Sequence, residues 1–163
     1  MRHTVDDITE IFRAPTSSFP GCSNDYLGVY NKLLSGLFEE SCFLVTFPKQ
    51  NCMEVIIYNR PIRDPKAVLL LLALDEEPTS DEEFSMHKLL MEAKTLEIQP
   101  IHGLCAWETK VAFYRYDREQ GVVMPDRGHV HFDLDLKEED GAGGVIEVAE
   151  DVKKMCKLVG MMQ

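Results

Sequence analysis

Apolar residues recur at helical spacing in four places along the chain, with strand-sized runs between them. Val5, Ile8, Ile11 and Phe12 share one side of a short helix that Thr4 caps, before Pro15 and the Ser, Pro and Gly residues up to Gly21 break the pattern. Tyr26, Tyr30, Leu33, Leu34 and Leu37 make the stripe of a second helix beginning at Ser23 or Asn24. Met86, Leu89, Leu90, Ala93 and Leu96 mark a third, opened by a capping box in which Ser80 faces Glu83. Val145, Val148, Val152, Cys156 and Val159 mark the last. Its acids, Glu147, Glu150 and Asp151, come early and its lysines, Lys153, Lys154 and Lys157, come late, as a helix dipole favours.

Between these stripes lie Cys42 to Phe47 and Met53 to Tyr58, two runs rich in aromatic and β-branched residues around the polar turn Lys49-Gln50-Asn51, which predicts a hairpin. Ala67 to Leu74 is apolar at every position, so it is expected at the centre of a sheet with both faces covered. Ile101 to Trp107 and Lys110 to Tyr116 read as two further strands. The second alternates, Val111 and Phe113 on one face, Tyr114 and Tyr116 on the other. Val122 to Met124 reads as a short edge strand, and Asp126 to Gly144 as polar loop. The order predicts an α/β (α+β) fold with a mixed central sheet of about five strands flanked by helices. The connection from the third strand through the capped helix is long enough for a parallel crossover.

The length of 163 residues fits one core, divided here into an N-terminal arm, 1–22, and a single domain, 23–163. With 28 acidic against 17 basic residues the net charge is −11, which repels phosphate backbones and anionic membranes and makes nucleic acid a disfavoured partner. Five widely spaced cysteines without a Cys-x-x-Cys pair read as reduced thiols. The acidic N-terminus and the absence of an apolar run of spanning length lead to the expectation of a soluble intracellular protein, cytoplasmic or nuclear, with no membrane partner.

This order of elements resembles the restriction-endonuclease-like core of the PD-(D/E)XK superfamily, built around a hairpin, a central strand and a crossover helix. The stretch PIHGLCAWETKVAFYRYD from Pro100 to Asp117 is similar to one in uncharacterised fungal proteins with that core, as are FDLDLKEEDG from Phe132 to Gly141 and the helix ending Val152 to Cys156. The likeness covers roughly Tyr26 to Cys156. It implies an acid on the second strand and an acid-x-Lys triplet at the end of the third, which hold a divalent metal and activate water. Glu54 falls where the first acid belongs, but Leu70-Leu71-Leu72-Ala73-Leu74 replaces the triplet.

The leading expectation is therefore a catalytically degenerate nuclease-like domain acting as a binding or interaction module. It is expected to bind a protein partner or to self-associate through apolar or sheet-edge surface, and to need no cofactor. One alternative is a metal-dependent nuclease or phosphodiesterase in which Glu54, with Asp75 or Glu76, holds Mg²⁺. Another is a small-molecule enzyme or ligand binder at His129 and His131, two imidazoles on one side of an extended segment, with Asp126, Asp133 or Asp135 completing a metal shell. Lys94 is a poor substitute for the missing lysine. Cys105 and His102, three residues apart on a strand, point to opposite faces, so Cys105 is expected in the core. Gly141 to Gly144 lacks the flanking strand and the Lys-Ser/Thr of a phosphate loop. Arg60, Arg63, Lys66, Arg115 and Arg118 would offer a basic patch if the fold gathered them at one end of the sheet.

Overall fold

The computed structural model describes residues 3–14, 26–57, 66–78, 86, 88–89, 101–117, 119–125, 132–158 and 160. In chain order the elements are α1 (Val5–Arg13), α2 (Leu27–Leu37), β1 (Phe43–Lys49), β2 (Cys52–Ile57), β3 (Lys66–Leu74), β4 (Ile101–Trp107), β5 (Lys110–Asp117), β6 (Val122–Pro125), β7 (Leu134–Asp135) and α3 (Glu139–Leu158). The strands form one seven-stranded sheet in the order β1-β2-β3-β4-β5-β6, with β7 also paired to β5. All neighbours are antiparallel except β3 and β4, which run parallel. The sheet exceeds the expected five strands because β6 follows Tyr114 to Asp117 and β7 follows Lys110 and Val111, one after the other along the outer side of β5.

Strand alternation sorts the side chains into two cores. On one face Met53, Leu71, Leu104 and Phe113 stand in one register row, packed with Ile8, Phe12, Tyr30, Leu34, Val145 and Val152 from the three helices. On the other, Cys52, Leu72, Cys105 and Ala112 form a row packed near Met86 and Leu89. The run read as a doubly covered central strand is β3. Leu69 and Leu71 enter the first core and Leu70 the second, all almost fully buried. Gly103 is the point where the second layer touches the sheet, since a Cβ there would lie 2.6 Å from Met86 Sδ.

The segment read as an arm contributes α1 to the first core. Thr4 and Asp7 close a reciprocal capping box at its start, Ile8 and Phe12 are buried, and the Phe12 ring tilts against Tyr30 at 5.1 Å. Arg13 donates from Nε and Nη2 to the Lys137 carbonyl, at 3.0 and 2.7 Å, fixing α1 to the start of α3.

The stretch from Asp126 to Gly144, read as loop, is corrected in its second half: β7 occupies Leu134–Asp135 and α3 begins at Glu139. Its glycines signal close approach. A Cβ on Gly141 would lie 2.2 Å from the Asp135 carbonyl oxygen, and one on Gly144 3.1 Å from the Phe113 ring. The helix of Ser80 to Leu96 falls mostly outside the described residues, of which Met86, Lys88 and Leu89 are helical.

Candidate functional site

Chemistry was expected where β2 meets the end of β3, and the register fixes what stands there. Glu54 pairs with Thr46 on β1 and Leu70 on β3, and its Oε1 accepts a 3.1 Å hydrogen bond from Thr46 Oγ1. Cys52, two residues earlier, faces Leu72. Asp75 lies beyond the strand end, where its Oδ2 accepts from Asn51 Nδ2 at 2.5 Å. Asn51 precedes Glu54 by three residues, roughly 10 Å along an extended chain. Glu76 is exposed beside Asp75. Glu54 and Asp75 are therefore held by separate partners at separate register positions. Among the described residues no three His, Cys, Asp or Glu side chains gather as a metal shell.

The remaining sequence candidates disperse. His129, His131 and Asp126 lie outside the described residues, as do Lys94, Arg60, Arg63 and Arg118. Asp135 Oδ1 accepts from the Lys137 amide at 2.9 Å and so stabilises the turn into α3. His102 shares a register row with Leu69 and Arg115, whereas Cys105 shares one with Leu72 and Ala112 on the opposite face, fully buried. Lys66 opens β3 opposite Ile57, while Arg115 stands two strands away on β5.

What the sequence reading missed is a cavity of about 570 Å³ at the carboxyl end of β3. Its walls come from the β1–β2 turn, the strand end and the described part of the crossover segment, including Lys49, Asn51, Leu72, Asp75, Lys88 and Leu89. Asn51 makes this wall. It adopts a left-handed conformation, φ 59°, which asparagine tolerates, and its carbonyl accepts from the Ala73 amide at 2.8 Å. Together with the Asn51 side-chain bond to Asp75, this ties the hairpin tip to β3. The turn residues and Asp75 were legible as polar signals, but nothing in their spacing brought Lys88 to them.

Cys52 also lines this cavity. Burial, reinforced by the nearby Glu54 charge and opposed by Lys49, pushes its thiol up to about 11, so it is protonated at neutral pH and poorly suited to attack. A second cavity, about 740 Å³, lies between α1 and α3, with Asp6, Glu139, Asp140 and Glu147 on its walls.

The free edge of the sheet has a different character. Among the described residues β1 pairs on one side only, with β2, and it carries Leu44 and Phe47, which are 57% and 50% exposed. No helix among the described residues is long and apolar enough to cross a membrane. The chain matches no family model, no curated protein and no solved structure.

Proposed function

We propose that this domain is a catalytically degenerate form of the restriction-endonuclease-like core that works by binding, and that its binding surface is the free edge of β1, used for self-association. The order α2, β1, β2, β3, crossover, β4, with β3 and β4 parallel, supports the likeness in scaffold. The loss of catalysis is supported by the apolar triplet position and by Glu54, which faces Leu70 and accepts from Thr46.

The observation that carries the interaction half is the exposure of Leu44 and Phe47 on a strand that, among the described residues, pairs on one side only. Unpaired backbone along an apolar edge favours strand addition. Pro48 lacks an amide donor, which confines pairing to Phe43 through Phe47.

Sedimentation velocity across a dilution series is the test. The full chain should show a reversible dimer that Leu44→Lys and Phe47→Lys each weaken while the circular dichroism spectrum stays unchanged. A monomer at every concentration, or a dimer indifferent to both substitutions, sinks the edge proposal. Calorimetric titration with Mg²⁺ addresses the catalytic half. Heat that disappears in Glu54→Ala would restore the metal-dependent nuclease reading.

A further inference from the structure

The connection from α2 to β1 packs against α3, and Lys153 marks the contact. Its ammonium lies 3.0 Å from Glu40 Oε1 and 5.6 Å from the centre of the Phe38 ring. The Phe38 and Phe43 rings meet edge to face at 5.2 Å, and the Phe43 amide donates to the Glu40 carbonyl at 2.9 Å. That bond closes a turn in which Cys42 stands third, so residues 38–43 present one surface to the helix. Cys156 follows Lys153 by three residues and shares its side of α3. It is buried in the first core, and the half-buried Cys42 packs against that same core. The two thiols also sense each other. Burial pushes Cys156 up to about 11 and the neighbouring Cys42 adds to it, while burial raises Cys42 as well, with Glu40 reinforcing and Lys153 opposing. Cys52 and Cys105 belong to the second core, across the sheet from both.

We infer that Cys42 and Cys156 are a redox-responsive pair, which closes a reversible intrachain disulfide between the α2–β1 connection and α3 by exchange with a small disulfide of the glutathione type. Cys42, the more accessible of the two, gives up its proton and attacks one sulfur of glutathione disulfide. The sulfur–sulfur bond breaks, one glutathione leaves as thiolate, and Cys42 carries the mixed disulfide. Cys156 then loses its proton and attacks the Cys42 sulfur, expelling the second glutathione. Two protein thiols are oxidised, one glutathione disulfide is reduced to two thiols, and the two protons end on them. A thiol held high is scarce as thiolate but strongly nucleophilic once formed, and its place beside Cys42 makes the second step intramolecular. The pair does not depend on the use of the β1 edge.

The test incubates the full chain with glutathione disulfide, without denaturant, and maps the products by mass spectrometry of unreduced peptides. The expected product has lost two hydrogens and links the peptides of Cys42 and Cys156 within one chain. Cys156→Ser should stop at the glutathione adduct on Cys42, and Cys42→Ser should give neither adduct nor bridge at Cys156. Cys52→Ser should form the bridge as the parent does. Because the bridge closes a loop of most of the chain, the oxidised protein should melt about 5 °C or more above the reduced one, and dithiothreitol should reverse this. The inference is overturned by a Cys42 adduct that persists in the parent, by a bridge from Cys42 to any other cysteine or to a second copy, or by no reaction at Cys42. A bridged protein that melts no higher than the reduced one overturns it too, since the bridge would then belong to a distorted fold. Phe47→Lys, which disrupts the proposed edge, should form the same bridge, so failure of either reading is seen separately.

Discussion

Tyr30 Oη donates a 2.6 Å hydrogen bond to the carbonyl oxygen of Glu108, joining α2 to the turn between β4 and β5 across 78 residues of chain. Glu108 itself is left-handed, φ 52°, a conformation that costs a residue with a Cβ some energy. The bond gives the turn a fixed partner inside the first core, so its loss should be felt by the sheet as a whole.

Tyr30→Phe keeps the ring contact with Phe12 and leaves the Glu108 carbonyl without this donor. The expected cost is about 1–2 kcal/mol in a urea titration. The pH dependence should change as well. Burial, with smaller contributions from Tyr26, Asp135 and Cys105, holds the Tyr30 hydroxyl well above its ordinary value. A raised folded value means the contribution is complete below about pH 10, where the unfolded phenol is also neutral, and is lost as pH climbs beyond it. The fall in melting temperature above that pH should therefore be shallower in Tyr30→Phe than in the parent.

Two glycines of α3 should respond in opposite directions to the same change. Gly141→Ala forces a methyl against the Asp135 backbone and should destabilise by more than about 2 kcal/mol. Gly143→Ala meets nothing within 4 Å and should stabilise by about 0.5–1 kcal/mol, the ordinary gain of alanine over glycine in a helix. Equal effects in thermal denaturation would refute the close approach of α3 to β7.

Lys153 is nearly buried, its ammonium 3.0 Å from Glu40 and 5.6 Å from the centre of the Phe38 ring. Removing it strands a half-buried carboxylate. Lys153→Ala should cost about 2–3 kcal/mol, and Lys153→Met less, since it refills the space over the ring. A double-mutant cycle with Glu40→Gln measures how much of that is the ion pair.

The cysteines should separate by burial under alkylation at pH 8, read site by site with mass spectrometry. Cys52 and Cys156 are both pushed up to about 11, chiefly by burial, and should react only as the protein opens. Cys42 is half-buried and its thiol is also raised by desolvation, so it should react sooner than those two but more slowly than an unfolded thiol.

What the sequence determined by itself was local. Short runs of aromatic, β-branched or apolar residues between polar turns predicted the first six strands, because such runs belong to each strand and are legible without knowledge of its neighbours. The uniform apolarity of Ala67 to Leu74 predicted a doubly covered centre, and Thr4 predicted a helix start. The sequence reading failed where one residue type serves two purposes. Gly141 and Gly144 have the composition of a loop, and only their approach to Asp135 and Phe113 shows why a helix needs them. The candidate acids met the same limit. Glu54 and Asp75 were visible, but whether they converge depends on a register that places one opposite Leu70 and ties the other to Asn51. The cavity needed tertiary structure altogether, since Lys49, Asp75 and Lys88 come from three separate segments of the chain. Spacing along the chain fixes which face a side chain joins. Meeting across segments depends on strand order and crossover geometry, which no local pattern encodes.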